Sequence, residues 1–469
     1  MKKILLLLFL FGFEICSAQQ WFPLQGGLSG NDAQNNKVCS LCTDTINHVL
    51  YAGGYFNQCH ADTGNIIASN IARWDGTNWN QVILHHGTFS GNGFGQVITS
   101  MVLHGSEIYL CVSNNASDIY GVLRFDVNTF EFNNFGTFNN SLNSICFYND
   151  TLYVGGAFTK CDTGYFVDAS SPSISRIAKF DGTQWQQVGT GISGGAVPEV
   201  HSLCVHHNKL YAAGIFENAG GTYCKNIACW NDTSWSAVGN GIGFSGQFDC
   251  ILYSLASYKN KLYAGGYFSV SDGYFANGLG MWNDTTWSAT GVSASGVYAL
   301  KVHGNKLYFG SDGSSLGNWV WDRVTCYDDS VWLSTGTGPT GDVLALEVFN
   351  NDLYAGGVFE IIDSITNAGF IARYNPTIIQ DTTAIVEVKQ KVSALNIYPN
   401  PATNEIKISN LSPEENQIKI FNLLGQQVKN LSVSNEPNHT INISDLRSGI
   451  YMLTVSNNKK ICCKKFVRE

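Results

Sequence analysis

Cysteines and histidines are the residues of this chain that first invite a chemical reading. Cys39-Ser40-Leu41-Cys42 has the two-residue spacing of half a zinc site. A structural zinc needs a second Cys/His pair at ligand spacing, and none follows. On a regularly alternating strand Cys39 and Cys42 would also point to opposite faces. Cys42, Cys146 and Cys204 share a slot of a repeat that Val102, Ala256, Lys301 and Glu347 fill elsewhere, so the slot is no ligand position. His85-His86 and His206-His207 are adjacent pairs, whose side chains are expected to diverge on a strand or at a hairpin end. Neither a Gly-x-Ser-x-Gly elbow nor a phosphate loop occurs. Paired carboxylates for sugar hydrolysis would have to be assembled from loops distant in sequence. The expectation is no metal, no cofactor and no assignable catalytic residue.

The element that must position any site is a repeat. Its tyrosine falls at Tyr51, Tyr109, Tyr153, Tyr211, Tyr263, Tyr308 and Tyr354, with gaps of about 50 residues, the period of a propeller blade. Each unit divides into four strands. The first alternates, with a large apolar residue at Leu41, Met101, Ile145, Leu203, Leu255, Leu300 or Leu346. The second is the Leu-Tyr-Ala-Gly-Gly segment, whose glycine pairs (Gly53-Gly54, Gly155-Gly156, Gly265-Gly266, Gly356-Gly357) predict a bulge or a close backbone approach. The third is Ile71 to Trp74 and its equivalents. Asp75-Gly76, Asp181-Gly182, Asn231-Asp232 and Asn283-Asp284 then predict two-residue hairpins. The fourth strand opens on an aromatic residue: Trp79, Phe130, Trp185, Trp235, Trp287 or Trp332. The seventh unit ends at Tyr374-Asn375-Pro376 without that strand, and Trp21-Phe22-Pro23-Leu24 matches the missing piece. The N-terminal strand is therefore expected to complete the last unit and shut a ring of seven blades, which removes exposed sheet edges.

These motifs, a diglycine after an apolar run and two aromatics across a hairpin, resemble kelch-type propellers over residues 20–376. The resemblance implies that the glycines and aromatics are structural. Tyr109-Leu110-Cys111 and Tyr308-Phe309-Gly310-Ser311 lack the full pair, and the aromatics lie closer together than in most kelch units. The Asp-Gly-Thr-x-Trp runs are similar to the structural turns of sialidases. The arginine triad that a sialidase needs is missing, because Arg73, Arg124 and Arg373 share one scaffold slot with Lys179.

The two ends speak of delivery. Lys2 and Lys3 precede an apolar run from Ile4 to Phe13, and Cys16-Ser17-Ala18 supplies small residues, so Met1–Ala18 reads as a secretory signal cut between Ala18 and Gln19. Ten apolar residues are too few for a membrane span, and none is expected in the mature chain. Thirteen cysteines remain after the cut, an odd number that cannot all pair. Cys59, Cys161 and Cys224, in loops, are the disulfide or free-thiol candidates. Residues 393–469 hold nine Lys/Arg against six Asp/Glu, leaving 18 against 30 in the rest of a chain whose net charge is −9. An acidic body argues against nucleic acid as a partner.

Residues 377–392 read as a linker. Beyond it, about seven short alternating strands predict a small immunoglobulin-like β-sandwich. Tyr398-Pro399-Asn400-Pro401-Ala402, Phe421 to Val428 with Gly425, Ile443 to Tyr451 with Gly449, and the ending Lys464-Lys465-Phe466-Val467-Arg468 resemble the type A carboxyl-terminal sorting domain of the type IX secretion system. The resemblance implies a translocon at the outer membrane as partner, and removal of the domain during export.

The whole is thus expected to be an all-β protein with a signal peptide (1–18), a seven-bladed kelch-like propeller (19–376), a linker (377–392) and a sorting domain (393–469). A secreted or surface-exposed monomer that binds a glycan or protein, without catalysis, is the leading expectation, and a polysaccharide hydrolase or lyase is the alternative. The long insertions Asn57–Asn70 and Thr159–Ser175 are the first places to look for a ligand. Tyr165-Phe166 and Tyr274-Phe275, in equivalent loops, are the candidate ligand contacts.

Overall fold

The computed structural model describes residues 21–375 and 396–469, except 31–34, 62–63, 69, 83–96, 115–118, 164–166, 244–249, 272–273, 276–277, 292, 295, 317–318, 329–331, 337, 363–364, 367, 410–415, 423–426, 434–435, 437 and 457–460. The signal cleavage residues Ala18 and Gln19, the loop pair Tyr165-Phe166, His85-His86 and the sorting-motif Gly425 lie outside the described residues. Contacts divide the chain into two compact units, at Thr382/Thr383.

The first unit is built by repetition. Seven antiparallel sheets among the described residues share one plan, in which four strands follow one another in order. Their innermost strands are Lys37–Asp44, Val97–His104, Leu142–Tyr148, Glu199–His206, Ile251–Tyr258, Val297–His303 and Asp342–Phe349. Each contacts the next, and the last contacts the first, so the sheets close into a ring. The seventh sheet takes its outer strand from the other end of the unit: Trp21, Phe22 and Pro23 pair with Tyr374, Arg373 and Ala372. Trp21 is fully buried there, against the Tyr374 ring at 5.0 Å.

The glycine pairs do the two jobs expected of them. A Cβ on the first glycine would press on the neighbouring sheet: 2.6 Å from Ile98 Cγ2 at Gly53, and 2.5 Å from Val297 Cγ1 at Gly265. A Cβ on the second would collide with a carbonyl oxygen at the start of the same sheet's innermost strand, that of Lys37 for Gly54 and of Ser141, just before the strand, for Gly156. A β-bulge in the innermost strand lies opposite these glycines, and the same bulge recurs in all seven innermost strands, including that of the second sheet, where Cys111 and Val112 stand opposite it.

Indole N–H groups tie neighbouring sheets together. Trp79 donates to the Leu24 carbonyl (3.0 Å), Trp185 to Phe135 (3.0 Å), Trp235 to Val188 (3.0 Å) and Trp287 to Val238 (2.9 Å). Trp332 donates to Thr290 (2.8 Å) and Trp21 to Thr335 (2.9 Å). The second sheet is the exception, and it corrects one expectation. Its register-equivalent residue is Phe132, opposite Phe125, rather than Phe130, which sits in the preceding turn with a positive φ of 57°. A phenyl ring has no N–H to give. The hairpins between third and fourth strands are also longer than expected. Trp74 pairs with Trp79 and Trp282 with Trp287, so four residues turn the chain. Asp75 Oδ1 accepts the Thr77 and Asn78 amides, and Asn283 Oδ1 those of Thr285 and Thr286, which stabilises each turn.

The second unit has two sheets, Asn396–Tyr398 with Glu405–Ser409 and Asn438–Asn442, and Gln427–Val433 with Asn416–Asn422, Gly449–Ser456 and Ile461–Arg468. Alternate residues of both, including Ile406, Ile408, Ile418, Ile420, Leu453 and Phe466, share one apolar core.

Candidate functional site

In each sheet the start of the innermost strand and the connection between second and third strands lie on one rim of the ring, because neighbouring strands run antiparallel. The bulges sit near that rim. They throw out one residue per sheet: Cys39, Thr99, Asn143, His201, Tyr253, Tyr298 and Leu344. All seven are half-buried. The bulge at Cys39 breaks the alternation on which the opposite-face reading of Cys39 and Cys42 depended.

Four of these bulged residues, Asn143, His201, Tyr253 and Tyr298, form a continuous run. The Asn143 amide donates to Glu199 Oε1 (3.0 Å) and to the Val200 carbonyl (3.1 Å), and Ser141 Oγ donates to the same carboxylate at 3.2 Å. His201 Nε2 lies 3.5 Å from Glu199 Oε2. The His201 and Tyr253 rings meet edge to face with centroids 5.5 Å apart, and Tyr253 and Tyr298 follow at 4.9 Å. Asp312 Oδ1 accepts the Gly296 amide at 2.9 Å beside Tyr298, and Arg323 pairs with Asp342 at 3.1 Å. One side of the mouth is therefore Cys, Thr and Leu, and the other is an aromatic row edged by three carboxylates and a guanidinium.

Burial sets the protonation of that row. It lowers the His201 pKa, against the opposing pull of Glu199, so the imidazole is neutral at pH 7. Burial, then Asp312 and Glu199, raises the Tyr253 pKa. Burial, then Asp312 and Asp342, pushes Tyr298 up to about 12, with Arg323 opposing. Both phenols thus keep their protons and act as donors. The arrangement offers aromatic rings, acceptor carboxylates and one neutral imidazole at half-buried positions on one rim.

The insertions singled out from the sequence are largely built into the scaffold. The segment 57–70 forms a hairpin (Gln58–Ala61 with Gly64–Ile67) that pairs with Leu28–Ser29, the chain leaving the ring-closing strand. Tyr274–Phe275 pairs with Val270–Ser271, which pairs with Ile242–Gly243. In segment 159–175, Cys161–Asp162 pairs with the outer strand of the second sheet. Each insertion thus staples its sheet to the preceding one. Cys59, Cys161 and Cys224 are buried free thiols in these staples, and burial raises the pKa of each, to about 11 for Cys59 and about 12 for Cys161. They act as small apolar residues. The arginines of the shared slot also serve the scaffold: Arg73 lies over the Phe130 ring (4.7 Å), Arg124 over Phe135 (5.3 Å) and Arg373 over Phe22 (5.2 Å).

The opposite rim overturns one expectation. His206 and His207 do not diverge; their rings stack, with centroids 3.9 Å apart and planes at 24°. Positive φ at His207 (45°) folds the chain back at the strand end and allows this. Both face Asp284 in the third-to-fourth hairpin of the next sheet, at 2.9 Å from His207 Nδ1 and 3.5 Å from His206 Nε2. Sequence reasoning missed both the bulged row and this cluster, because neither is periodic within one repeat. The signal available was that positions 39, 99, 143, 201, 253, 298 and 344 vary while their flanks do not.

In the second unit, Asn400 clamps the final strand by accepting the Val467 amide (2.9 Å) and donating to the Lys465 carbonyl (3.2 Å). Tyr451 donates to the Arg447 carbonyl at 2.8 Å and stacks on Phe466. Tyr398, Pro399, Pro401, Gly449, Lys464 and Lys465 are exposed. Lys464 and Lys465 are neighbours on the edge strand Ile461–Arg468 and so project to opposite faces.

Residues 396–469 match the family described as the secretion system C-terminal sorting domain. The chain is accordingly exported through the type IX system, to the cell surface or into the medium. It is similar to an ulvan lyase of Nonlabens ulvanivorans, 32% identical over 92 residues, which is 19% of this chain and 17% of that protein's length. Among solved structures, the β-propeller domain of the Trilobed protease from Pyrococcus furiosus is similar at a TM-score of 0.39 and 12% identity, over 68% of this chain and 90% of that one. The Dos1 propeller is similar at 0.36 and 11%, over 76% and 94%. The architecture is all-β, and these structural neighbours are β-propellers.

Proposed function

We propose that residues 19–376 are a seven-bladed, kelch-like propeller that binds an extracellular glycan at the mouth lined by His201, Tyr253 and Tyr298. The carrying observation is the Tyr253–Tyr298 pair flanked by Glu199, Asp312 and Asp342. Sugar rings present C–H faces that pack on aromatic rings and hydroxyls that donate to carboxylates, so this combination suits a carbohydrate better than an apolar peptide. The immunoglobulin-like domain 393–469, joined by the linker 377–392, delivers it. The translocon recognises the sorting motifs that contain Tyr398, Pro399, Asn400, Pro401, Gly425, Gly449, Tyr451, Lys464 and Lys465. The signal at 1–18 is cut between Ala18 and Gln19.

The test is a glycan array followed by titration of the retained glycan. Tyr253→Ala and Tyr298→Ala should each weaken binding about two- to tenfold, the worth of one aromatic contact. Undiminished binding by the double variant would refute the mouth as the site. Trimming the hairpin at 57–70 should leave affinity unchanged.

A second reading, a polysaccharide lyase or hydrolase, is favoured by one observation. A neutral His201 stands between Glu199 and a protonated Tyr253, the pairing that general acid–base chemistry uses. The similarity to an ulvan lyase makes ulvan the first substrate to try. Chain shortening by the wild type, abolished in His201→Ala, would move the assignment to this reading.

A further inference from the structure

We propose that His206, His207 and Asp284 form a binding site for one divalent transition-metal ion of the zinc, nickel or copper class. One ligand atom from each residue lies within 4.8 Å of the others. His207 Nδ1 lies 2.9 Å from Asp284 Oδ2 and His206 Nε2 lies 3.5 Å from Asp284 Oδ1, so each imidazole faces one oxygen of the same carboxylate, at separations near the ~3.4 Å between donors around a tetrahedral ion with ~2.1 Å bonds.

The independent observation is the state of His206. Its residue is 1% exposed, and its Nε2 makes no hydrogen bond of ordinary geometry although it faces the Asp284 carboxylate. A buried polar atom left in this way is uncommon and asks for a reason. On the far side of the ring, Nδ1 lies 2.7 Å from Ser257 Oγ. The hydroxyl can accept from Nδ1–H, and in that tautomer Nε2 carries the lone pair and is free to ligate. A lone pair facing a carboxylate is repulsive, and a cation between them reverses the sign. An outer hydrogen bond that fixes the tautomer and aims the ligating nitrogen is the usual support of a metal-bound histidine.

The chemistry of the donors sets the class of ion. Two imidazoles and one carboxylate suit zinc, nickel or copper, whereas calcium and magnesium prefer oxygen alone. The side chains of His207 and Asp284 are 42% and 44% exposed, so an ion can enter and water can complete its shell. Asp284 and His206 belong to neighbouring sheets, so a bound ion would clamp that joint of the ring.

The experiment is isothermal titration of the full mature chain with zinc chloride, with calcium chloride as comparison, and the visible spectrum of the cobalt-loaded protein. One zinc equivalent should bind, and Asp284→Asn and His207→Gln should each weaken it at least tenfold, since even outer-shell partners of a metal are worth about 10–100-fold. Asp232→Asn, at the equivalent place one sheet back, should leave it unchanged. His207 is exposed, so its variant decides the matter should Asp284→Asn fail to fold. Absence of saturable zinc uptake, equal uptake by both variants, or calcium bound as tightly as zinc would overturn the proposal.

Discussion

Two joints of the ring occupy the same place in consecutive repeats and differ at one latch. Between the third and fourth sheets, Asp232 Oδ2 accepts the Tyr148 hydroxyl (3.0 Å) and the Asn149 amide (2.9 Å). Between the fourth and fifth, Asp284 meets His206 and His207 in the corresponding positions. Elsewhere the joints match. Trp235 and Trp287 reach the preceding sheet in the same way, and Ser144 and Ser202 accept the Leu203 and Leu255 amides, each at 3.0 Å. The carboxylate position is thus part of the scaffold, since a turn carboxylate can simply hold the neighbouring sheet. What is specific to the second joint is the replacement of two neutral donors by two imidazoles, which leaves one nitrogen unserved. A structural latch became a place where a cation has a use, without any change in backbone plan.

The largest effects should be common to both joints. Trp235→Ala and Trp287→Ala each remove a buried indole and its hydrogen bond, and each should cost about 3–5 kcal/mol in chemical denaturation. A difference of more than about 1 kcal/mol between them would show that the joints are not equivalent below the latch. The latches should then separate them. Asp232→Ala removes the acceptor of the part-buried Tyr148 hydroxyl, while the exposed Asn149 amide turns to water, and should cost about 0.5–1.5 kcal/mol. Asp284→Ala, measured in chelator, should cost under about 1 kcal/mol, as befits a half-exposed carboxylate. Equal losses at the two would erase the distinction drawn here.

The smallest effect concerns the other rim. Burial depresses the His201 pKa below its unfolded value of about 6.5. The unfolded chain therefore takes up the proton first as pH falls, so the contribution is fully present above about pH 6.5 and is lost as pH drops through the folded-state pKa. His201→Asn should flatten the stability profile between pH 7 and 5 relative to the wild type. An unchanged slope would place the acid sensitivity elsewhere.

Much of the scaffold was legible because it is periodic. The tyrosine slot, the glycine pairs and the outer tryptophans recur with fixed neighbours, so seven copies vote on each position. Trp21 could be matched to Trp185 although 164 residues separate them. The same voting failed where the copy itself is irregular. Aromatic spacing alone points to Phe130 in the second unit, whereas the strand register puts Phe132 opposite Phe125, because spacing without register does not say which residue faces its partner. Asp-Gly and Asn-Asp suggested short hairpins, yet the aromatic pairs close four residues apart from them. The insertions looked like binding loops because they interrupt the repeat, whereas backbone pairing consumes them as staples.

From the order of its residues alone, the chain declares a repeated four-strand unit, a borrowed closing strand and a sorting domain at its end. The repeat and its closing strand are local or cyclic, so hydrophobic period and turn chemistry reveal them, whereas the sorting domain is read from the resemblance of its motifs to a known family. The aromatic row at the mouth and the His206–His207–Asp284 cluster were decided only in three dimensions. Each takes one or two residues from several sheets, aimed by a bulge or a left-handed turn whose consequence is invisible until neighbouring sheets meet. Side chains 45 to 78 residues apart, as Tyr253 is from Tyr298 and His206 from Asp284, acquire a common chemistry only when ring closure brings their strand ends together.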